Sequence, residues 1–359
     1  MKWKKTISLS VVNRYRFNTI LFIALLWTAV DTIVVLTLNT LPAPAGENKL
    51  KPLLIREIIL FIISLGMGYL LVVYLKKIFR NFSLWTAYLI KSSILILAAF
   101  LINLLLYSVN SVSIFGIPLS SSFHRFYGHL FDFRWVFQKM SYWLLLSIIT
   151  QLILEINEKY SPGVFVDIFF GKYIQPKVEK RIIMFIDLKD STLIAEKLTS
   201  KQNFRFIREF IYQVSTALIE NHGRIYQYVG DEIVVSWLYT RRNVKKCIHT
   251  ASDIKTNLQR TSSHFKKRYG IMPQYRAGIH VGEVTVGEIG VIKKDLAMSG
   301  DPMNTAARIK AASTELGYDF VISKDFVEQA HLKEGQTESL GLVELKGKVN
   351  EVELFGLKI

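Results

Sequence analysis

The sequence predicts an α-helical transmembrane bundle of about four spans, followed by an α+β domain in which helices cover an antiparallel sheet. Apolar runs long enough to cross a bilayer, which takes about 20 residues, are confined to the first 160 of the 359 residues. Beyond Tyr160 the apolar runs are shorter and alternate with polar helical stretches, as in α/β and α+β domains. Half of all residues are hydrophobic and only 21% are charged, which argues against a disordered chain.

The net charge of +16 raises the question of whether the chain binds nucleic acid. Residues 1–160 contain 16 Lys and Arg against 6 Asp and Glu, whereas residues 161–359 contain 29 against 23. Most of the excess therefore accompanies the long apolar runs, where basic residues flank membrane spans. We predict membrane lipid, and no nucleic acid, as the partner of this charge. The single cysteine, Cys247, excludes an intramolecular disulfide framework.

Three apolar runs predict transmembrane helices, at residues 19–38, 58–75 and 92–109. The first run contains Asp31, and the other two contain no charged residue. A fourth run at residues 142–154 is shorter, although Ile156 beyond Glu155 would extend it. We therefore assign residues 1–157 to a transmembrane domain of about four helices.

Basic residues beside the spans predict the orientation of the chain in the membrane. They are Lys2, Lys4, Lys5, Arg14 and Arg16 in the N-terminal tail, and Lys76, Lys77 and Arg80 after the second span. Positive residues stay on the cytoplasmic side, so the tail and this loop face inward. Lys49, Lys51 and Arg56 weaken the asymmetry without reversing it. Four crossings return the chain to the cytoplasm, which predicts a multi-pass protein of the inner (plasma) membrane with the second domain cytoplasmic.

Asp31 lies well inside the first predicted span. A carboxylate there costs about 3 kcal/mol on insertion scales and is often functional. In the alternative interpretation, Asp31 lies near the outer interface or pairs with Arg56 or Lys91. The sequence leaves both interpretations open.

The second half divides into alternating strands and helices. We predict strands at 181–188, 224–229, 232–237, 319–322, 340–345 and 351–357, helices at 203–221, 243–261 and 301–313, and two strands within 275–290 joined by a turn at Gly282. Asp301 is expected to be the N-cap of the last helix, with Pro302 at its first position. Residues 158–180 form the linker to this domain, which we place at residues 181–359.

Two aspartates in this half have the pattern of a metal site. Asp187 ends an apolar strand, and Asp231 lies in a tight turn between two strands. Carboxylates at neighbouring strand ends hold Mg²⁺ ions on phosphate chains, although a single Asp is more often a turn former or a cap. Ser191 and Thr192 begin the following helix, and backbone N–H groups at a helix start can bind phosphate.

Further polar groups lie near the C-terminus. Asn304 and Arg308 are four residues apart and share one helix face, although an exposed solvated pair would have the same spacing. Lys346 and Lys348 flank a glycine after a strand, which is a weak phosphate-binding signal alone.

Together these segments resemble the catalytic domain of class III nucleotidyl cyclases, the adenylate and guanylate cyclases. The matching stretches are 185–188 (FIDL) with Ser191 and Thr192, 229–232 (VGDE), 276–284 (RAGIHVGEV), 287–290 (GEIG), 299–308 (SGDPMNTAAR) and 345–348 (LKGK). Their order and spacing match over residues 181–359. The resemblance implies a ferredoxin-like α+β fold behind a membrane anchor, and a segment at 164–170 similar to the transducing element ahead of many such domains.

The resemblance also implies a role for each candidate residue. Asp187 and Asp231, assisted by the Leu188 carbonyl, would hold two Mg²⁺ or Mn²⁺ ions. Asn304 would position the ribose and Arg308 would stabilise the transition state. Lys348, or else Lys346, would hold the terminal phosphates. In this family the metal carboxylates come from one protomer and the other groups from its partner, so the chain should act as a homodimer.

The residues expected to read the purine depart from the family pattern. Adenylate cyclases commonly have Lys four residues before the second metal Asp, where this chain has Gln227. Their second base-reading position falls on Ala297 by direct counting, or on Asp295 if the preceding segment is one residue shorter. Glutamine donates and accepts hydrogen bonds, so it can read either purine.

The predicted function is therefore a membrane-anchored adenylate cyclase that converts ATP to 3′,5′-cyclic AMP and pyrophosphate. One alternative is a guanylate cyclase that uses GTP with the same machinery. A second is a membrane receptor whose cyclase domain binds nucleotide without catalysis.

Overall fold

The computed structural model describes residues 11–38, 50–75, 78–79, 82–115, 117–129, 131–159, 164–292, 294–332, 335–348 and 350–358. It divides into two compact units, Met1–Lys159 and Tyr160–Ile359. Several basic residues used to predict the orientation lie outside the described residues, namely Lys2, Lys4, Lys5, Lys49, Lys76, Lys77 and Arg80. Residues 160–163 of the predicted linker also lie outside them.

The first unit consists of helices. They are α1 (Val11–Thr37), α2 (Leu50–Tyr69), which continues as a π-helical turn (Leu70–Leu75), α3 (Leu84–Phe115), α4 (Leu119–His129) and α5 (Phe133–Lys159). Three apolar stretches are long enough to cross a membrane, Asn13–Thr37, Pro52–Leu75 and Trp85–Val109. A shorter apolar stretch, Met140–Ile156, lies in α5. The prediction of an N-terminal bundle of apolar helices is therefore confirmed, with three long spans and a shorter fourth.

Packing between these helices combines apolar contacts with a few polar ones. Ile23, Trp27 and Leu60 are among its buried residues. The Trp27 indole N–H donates a hydrogen bond of 2.9 Å to the hydroxyl of Thr150, which joins α1 to α5. Gly68 faces Ile20, where an added Cβ would lie 3.1 Å from the Ile20 Cγ2 atom. The small residue thus allows α1 and α2 to approach closely.

A buried ion pair joins α1 to α2. Arg56 donates hydrogen bonds of 2.7 to 2.9 Å from Nε and Nη2 to the Asp31 carboxylate, which is fully buried. The Tyr142 hydroxyl of α5 donates another, of 2.8 Å, to Asp31 Oδ1. Asp31 therefore pairs with Arg56, as in the second of the two interpretations of the sequence.

The second unit contains a mixed sheet with helices on both faces. In chain order its elements are α6 (Val164–Phe169), β1 (Lys177–Leu188), α7 (Ser191–Lys197), α8 (Ser200–Glu220), β2 (Arg224–Val229), β3 (Glu232–Leu238), α9 (Arg241–Arg260), α10 (Ser262–Tyr269), β4 (Tyr275–Ile289), β5 (Asp295–Ser299), α11 (Asp301–Leu316), β6 (Phe320–Ser323), α12 (Lys324–Ala330), β7 (Thr337–Val343) and β8 (Val352–Leu357).

The sheet has the order β2-β3-β1-β4-β6-β8-β7, with β5 paired to β4. Its first four strands, with α8 and α9 as the connections, form a ferredoxin-like βαββαβ core. Antiparallel pairing of β1 with both β3 and β4 places β1 at the centre of that core. The predicted α+β fold is confirmed.

The two faces of the sheet are covered by different helices. Ile182 and Ile186 of β1 belong to a large core with α8, α9 and α10. Ile183 and Phe185 point the other way, toward a smaller core that contains Ala306 of α11. Successive side chains of a strand alternate between faces, so Asp187 shares the face of α11.

Two local predictions were wrong. Residues 275–289 form one continuous strand, because Gly282 pairs with Arg181 within the ladder and makes no turn there. This glycine instead makes room for Pro302, whose Cγ would lie 2.5 Å from an added Cβ. Asp301 is the first residue of α11 and not its N-cap, which is Gly300 with a φ of +145°.

The buried pair predicts a specific pattern of stability. Arg56→Leu leaves the Asp31 carboxylate buried without its main partner, so the bundle should lose about 3 kcal/mol of unfolding free energy. Asp31→Leu combined with Arg56→Leu removes both charges and should recover most of that loss. Denaturant unfolding of the full-length protein in detergent micelles, followed by circular dichroism, measures the difference.

Arg134→Leu is the matched control, because Arg134 is an exposed arginine at the start of α5. A double variant as unstable as Arg56→Leu alone would contradict the ion-pair explanation.

Candidate active site

Asp187 and Asp231 lie at one end of the central strands. Asp187 is next to last in β1 and pairs in register with Arg276 of β4. Asp231 lies in the tight β2–β3 turn, where Gly230 adopts a φ of +63°. Since β3 pairs with β1 up to Ile186, this turn lies beside the end of β1. The sheet therefore brings together the two aspartates that the sequence singled out.

The two carboxylates interact so strongly that their acidities diverge. Burial, followed by the negative charge of Asp187, raises the pKa of Asp231 above its usual range. One oxygen of Asp231, Oδ2, is buried and has no hydrogen-bond partner. A buried acceptor without a donor is costly, and a cation placed there would relieve the cost.

Two basic side chains compensate Asp187. Arg276 donates from Nε and Nη2 to Asp187 Oδ2 at 3.1 and 2.8 Å. Lys310 Nζ lies 3.3 Å from the same oxygen and 2.5 Å from Glu232 Oε2. Burial alone would raise the pKa of Asp187, but the hydrogen bonds from Arg276 and the charge of Lys310 outweigh it, so this pKa lies below its usual value.

The aspartate pair fits a divalent metal ion. Among the described residues no group of three or more His, Cys, Asp or Glu side chains is arranged to hold a metal ion, so the candidate ligands here are the two carboxylates. Mg²⁺ is commonly held by one or two carboxylates together with substrate phosphates. The unpaired Oδ2 atom of Asp231 is the acceptor such an ion would use, and the Leu188 carbonyl belongs to the same strand end.

A second group of candidate residues lies around α11. Arg308 lies beside Gly347, with its Nη2 3.2 Å from the position of an added Cβ. Gly347 has a φ of +74° in a turn closed by the Lys348 amide, which donates to the Leu345 carbonyl. Lys348 Nζ forms an ion pair of 2.6 Å with Asp301. The structure thus brings Arg308 and Lys348 together, while Asn304 and Lys346 are exposed nearby in sequence.

One copy of the chain does not unite these two groups. Lys310 contacts Asp187, and Arg308 precedes Lys310 by two residues, which is about 200° around an α-helix. Arg308 therefore faces away from the aspartates of its own chain. The metal-type carboxylates and the guanidinium face different sites.

The candidate base-reading residues lie on β2 and β5. Gln227 is exposed on β2, immediately after a β-bulge at Tyr226. The Tyr226 hydroxyl accepts a hydrogen bond of 3.1 Å from the amide of Met298 in β5. This contact holds the two strands near one another within one chain. On β5, Ala297 is half-buried opposite Gly287, and Asp295 is exposed opposite Ile289.

Ser191 and Thr192 begin a helix of only seven residues, preceded by Asp190 in the left-handed conformation with a φ of 55°. The Ser191 hydroxyl interacts with Asp231 and helps to lower its pKa against the effect of burial. Thr192 is exposed. The structure therefore links Ser191 to the aspartate pair directly.

Sequence reasoning missed Arg276, Lys310 and Glu232 as parts of the site. The antiparallel register of β1 and β4 places Arg276 opposite Asp187. That register could not be predicted from a division of residues 275–290 into two strands. Lys310 carried a signal, because it is two residues from Arg308 and hence on the opposite face of the same helix.

The segment before β1 is tied to the sheet by ion pairs. Asp167 of α6 accepts a hydrogen bond of 2.8 Å from Arg224 at the start of β2. Burial opposes ionisation of Asp167, but the hydrogen bond and charge of Arg224 outweigh it and keep the pKa below its usual value. Tyr173 is fully buried against β1 and the second core. Movement of α6 would therefore act on β2, the strand that leads to Asp231.

Comparison with known proteins agrees with this geometry. Residues 174–358 match the model of the adenylate and guanylate cyclase catalytic domain. Adenylate cyclase 2 of Rhizobium meliloti (strain 1021) is 30% identical over 207 residues, which are 57% of this chain and 57% of that protein. A receptor-type guanylate cyclase of Caenorhabditis elegans is 28% identical over 197 residues, covering 52% of this chain and 19% of that protein.

A solved structure of a bacterial light-regulated adenylyl cyclase has a similar fold, with a TM-score of 0.53 and 23% identity over 61% of this chain and 63% of that one. The chain spans less than two thirds of the length of each of these relatives.

Lys310 provides a test of the aspartate pair. Lys310→Met removes a counter-charge from Asp187, so the metal-free protein should melt at a lower temperature, by an amount equivalent to about 1–2 kcal/mol. The same change removes a cation that competes with a divalent ion, so Mn²⁺ should bind more tightly and reduce the deficit. Differential scanning fluorimetry of the full-length protein, with and without Mn²⁺, measures both effects.

Lys189→Met is the matched control, since Lys189 pairs at 2.9 Å with Asp319, whose side chain is half exposed. An exposed pair contributes less than about 1 kcal/mol and should not respond to Mn²⁺. Equal effects of Mn²⁺ on the two variants would contradict the proposed competition.

Proposed function

This chain belongs to the adenylate and guanylate cyclase catalytic domain family, and we propose that it is a membrane-anchored adenylate cyclase that converts ATP to 3′,5′-cyclic AMP and pyrophosphate. One observation carries the proposal. The chain carries the residues that the family resemblance assigns to both halves of a cyclase site, yet Arg308 faces away from Asp187, which Lys310 of the same helix contacts. Two copies related by a twofold axis would each complete the site of the other.

Asp187 and Asp231 would hold two Mg²⁺ or Mn²⁺ ions, with the Leu188 carbonyl. When bound, the ions would activate the ribose 3′-hydroxyl for attack and neutralise the triphosphate. Arg276 keeps Asp187 ionised and oriented through two hydrogen bonds. Asp231 contributes the buried oxygen that has no other partner. Ser191 orients Asp231, and the N–H groups near Thr192 would face the phosphates.

The partner copy would supply the groups that act on the nucleotide. Arg308 would stabilise the negative charge that moves onto the leaving phosphates, which is worth several kcal/mol in the transition state. Asn304, one turn earlier on the same helix, would position the ribose. Lys348 would hold the terminal phosphates as a point charge, and the phosphates would replace its present partner, Asp301. Lys346 is the less favoured residue for that role.

The purine would be read between β2 and β5, where Gln227 and either Ala297 or Asp295 are available. The Tyr226–Met298 hydrogen bond supports this placement, because it holds the two strands together beside those residues. ATP is the favoured substrate because the relative at 30% identity is an adenylate cyclase. GTP is the alternative, since Gln227 can read either purine and guanylate cyclases are also relatives.

The apolar helices of the first unit would anchor the enzyme in the inner membrane, as a multi-pass protein whose N-terminus and catalytic domain are cytoplasmic. Three stretches have the necessary length and composition. Positive residues around the N-terminus support this orientation.

Product identity tests the substrate. Purified full-length protein supplied with Mn²⁺ should release cyclic AMP and pyrophosphate from ATP, and much less cyclic GMP from GTP, as measured by chromatography of the products. Asp231→Ala should abolish the reaction, because one ligand of the metal pair is lost. Cyclic GMP as the main product would identify a guanylate cyclase, and no product from either nucleotide would favour a binding module.

Mixed dimers test the shared site. Asp187→Ala and Arg308→Ala chains should each be inactive alone, because each lacks one half of both sites. Random pairing makes half of the dimers mixed, and each mixed dimer has one intact site, so coexpression should restore about a quarter of the wild-type turnover per chain.

Two chains that both carry Asp187→Ala and Arg308→Ala serve as the control and should stay inactive together. Full activity of either single variant, or no recovery in purified mixed dimers, would contradict a site built from two copies.

A further inference from the structure

The positive charge of the second half is concentrated in two helices. Residues 241–268, which include α9 and most of α10, contain nine Lys and Arg and one acidic residue, Asp253. The other residues of 161–359 contain 20 Lys and Arg against 22 Asp and Glu. The surplus therefore does not belong to the candidate active site as a whole. It belongs to one short stretch of surface.

Within α9 the basic side chains occupy one face. Val244, Cys247, Ala251, Ile254 and Leu258 are buried against the core and define the inner face of the helix. The outer arc bears the basic residues Arg241, Arg242, Lys245, Lys246, Lys255 and Arg260, which we call the cationic strip. Lys246 is half-buried and the other five are exposed. At 1.5 Å per residue the strip extends for about 28 Å.

Neighbouring basic groups of the strip repel one another. Burial, followed by the charge of Arg242, lowers the pKa of Lys246, so neighbouring basic groups disfavour each other's charge. Asp253, the one acidic residue of α9, accepts a hydrogen bond of 2.8 Å from Asn221 of the neighbouring chain segment. A surface on which one sign of charge predominates attracts polyanions.

The strip lies on the opposite side of the sheet from the candidate active site. α9 packs on the face to which Ile182 and Ile186 point, whereas Asp187 shares the face of α11. A partner bound to the strip would therefore leave both the aspartate pair and Arg308 accessible. The strip is a second surface with its own ligand chemistry.

We propose that the cationic strip docks on anionic lipid headgroups of the membrane that holds the first unit. The inference rests on the membrane anchoring proposed above, and it does not depend on cyclase chemistry. Only residues 160–163 separate α5, which contains the shorter apolar stretch, from α6 of the second unit. If α5 is anchored, this short connection would give the strip a high effective concentration of lipid. Each Lys or Arg near an anionic leaflet adds to the attraction, so the six basic residues of the strip act together.

The composition of the strip favours lipid over nucleic acid. α9 contains no Phe, Tyr or Trp, so it lacks the aromatic platforms on which single-stranded bases stack. The six basic residues lie along a single helix that also packs flat on its own core, which suits a planar charged surface. The strip would therefore recognise its ligand by charge.

Energy transfer to lipid measures the docking in the full-length protein. Gln259→Cys introduces an exposed thiol on α9 without changing its charge, and the only natural cysteine, Cys247, is buried. A donor dye at this position is paired with an acceptor on lipid headgroups in nanodiscs. Transfer efficiency should at least double when phosphatidylcholine discs receive about 30% phosphatidylserine, and this gain should disappear in about 0.5 M NaCl.

Two charge variants decide the assignment. Arg241→Gln, Arg242→Gln, Lys245→Gln and Lys246→Gln together should abolish the gain in transfer. The control removes the same number of charges elsewhere, through Lys177→Gln, Lys294→Gln, Lys324→Gln and Lys358→Gln, all at exposed positions, and should keep the gain. Equal loss in both variants, or no gain with phosphatidylserine in the parent protein, would overturn the proposal.

A duplex oligonucleotide separates lipid from nucleic acid. Binding of the duplex to the strip in anionic discs, with no lipid-dependent change in transfer, would also overturn the assignment to lipid. The measurement needs no metal or nucleotide, so its outcome is independent of cyclase activity. Failure of membrane anchoring would be recognised separately, because the protein would not assemble into discs.

Discussion

The close contact between α11 and β4 determines the arrangement of the whole catalytic face. Gly278 allows it, because any Cβ at this position would collide with the backbone nitrogen of Lys310 and the carbonyl oxygen of Ala306. With the helix backbone held against the strand, its side chains are directed to two sides. Lys310 contacts Asp187 and Glu232 of its own chain, and Arg308 lies beside the turn at Gly347. A larger residue at Gly278 would displace both at once.

The electrostatics of the site follow from this packing. Asp187 receives Arg276 from β4 and Lys310 from α11, whereas Asp231 keeps a buried oxygen without a donor. The two carboxylates therefore differ in acidity although both end or flank central strands. The fold therefore lowers the pKa of one carboxyl group and raises that of its neighbour. That asymmetry is the property on which the proposed metal site rests.

Much of this organisation follows from the sequence, because strand ends and helix faces are local properties. Asp187 and Asp231 could be paired in advance because both adjoin short apolar strands. The continuity of β4 could not be predicted, because glycine is a common turn residue. Here Gly282 is needed for a different reason, which is that the distant Pro302 packs against it. Arg276 and Lys310 were missed because their contacts depend on strand register and helix docking. These two residues lie 89 and 123 positions after Asp187 in the sequence, respectively. The contact of Tyr226 with β5 could not be predicted either, because a β-bulge changes which side chains of β2 share a face.

The Asp31–Arg56 pair has a consequence for biosynthesis. Under the proposed membrane anchoring, Asp31 on α1 would carry an unpaired charge into the hydrocarbon region until it met Arg56 on α2. Together they form a hydrogen-bonded pair, to which Tyr142 of α5 adds its hydroxyl and beside which Glu57 lies 3.7 Å from Arg56. The first two helices are therefore expected to leave the translocon as a hairpin and not one after the other. Under the proposed anchoring, membrane assembly would then begin with a charge-paired hairpin.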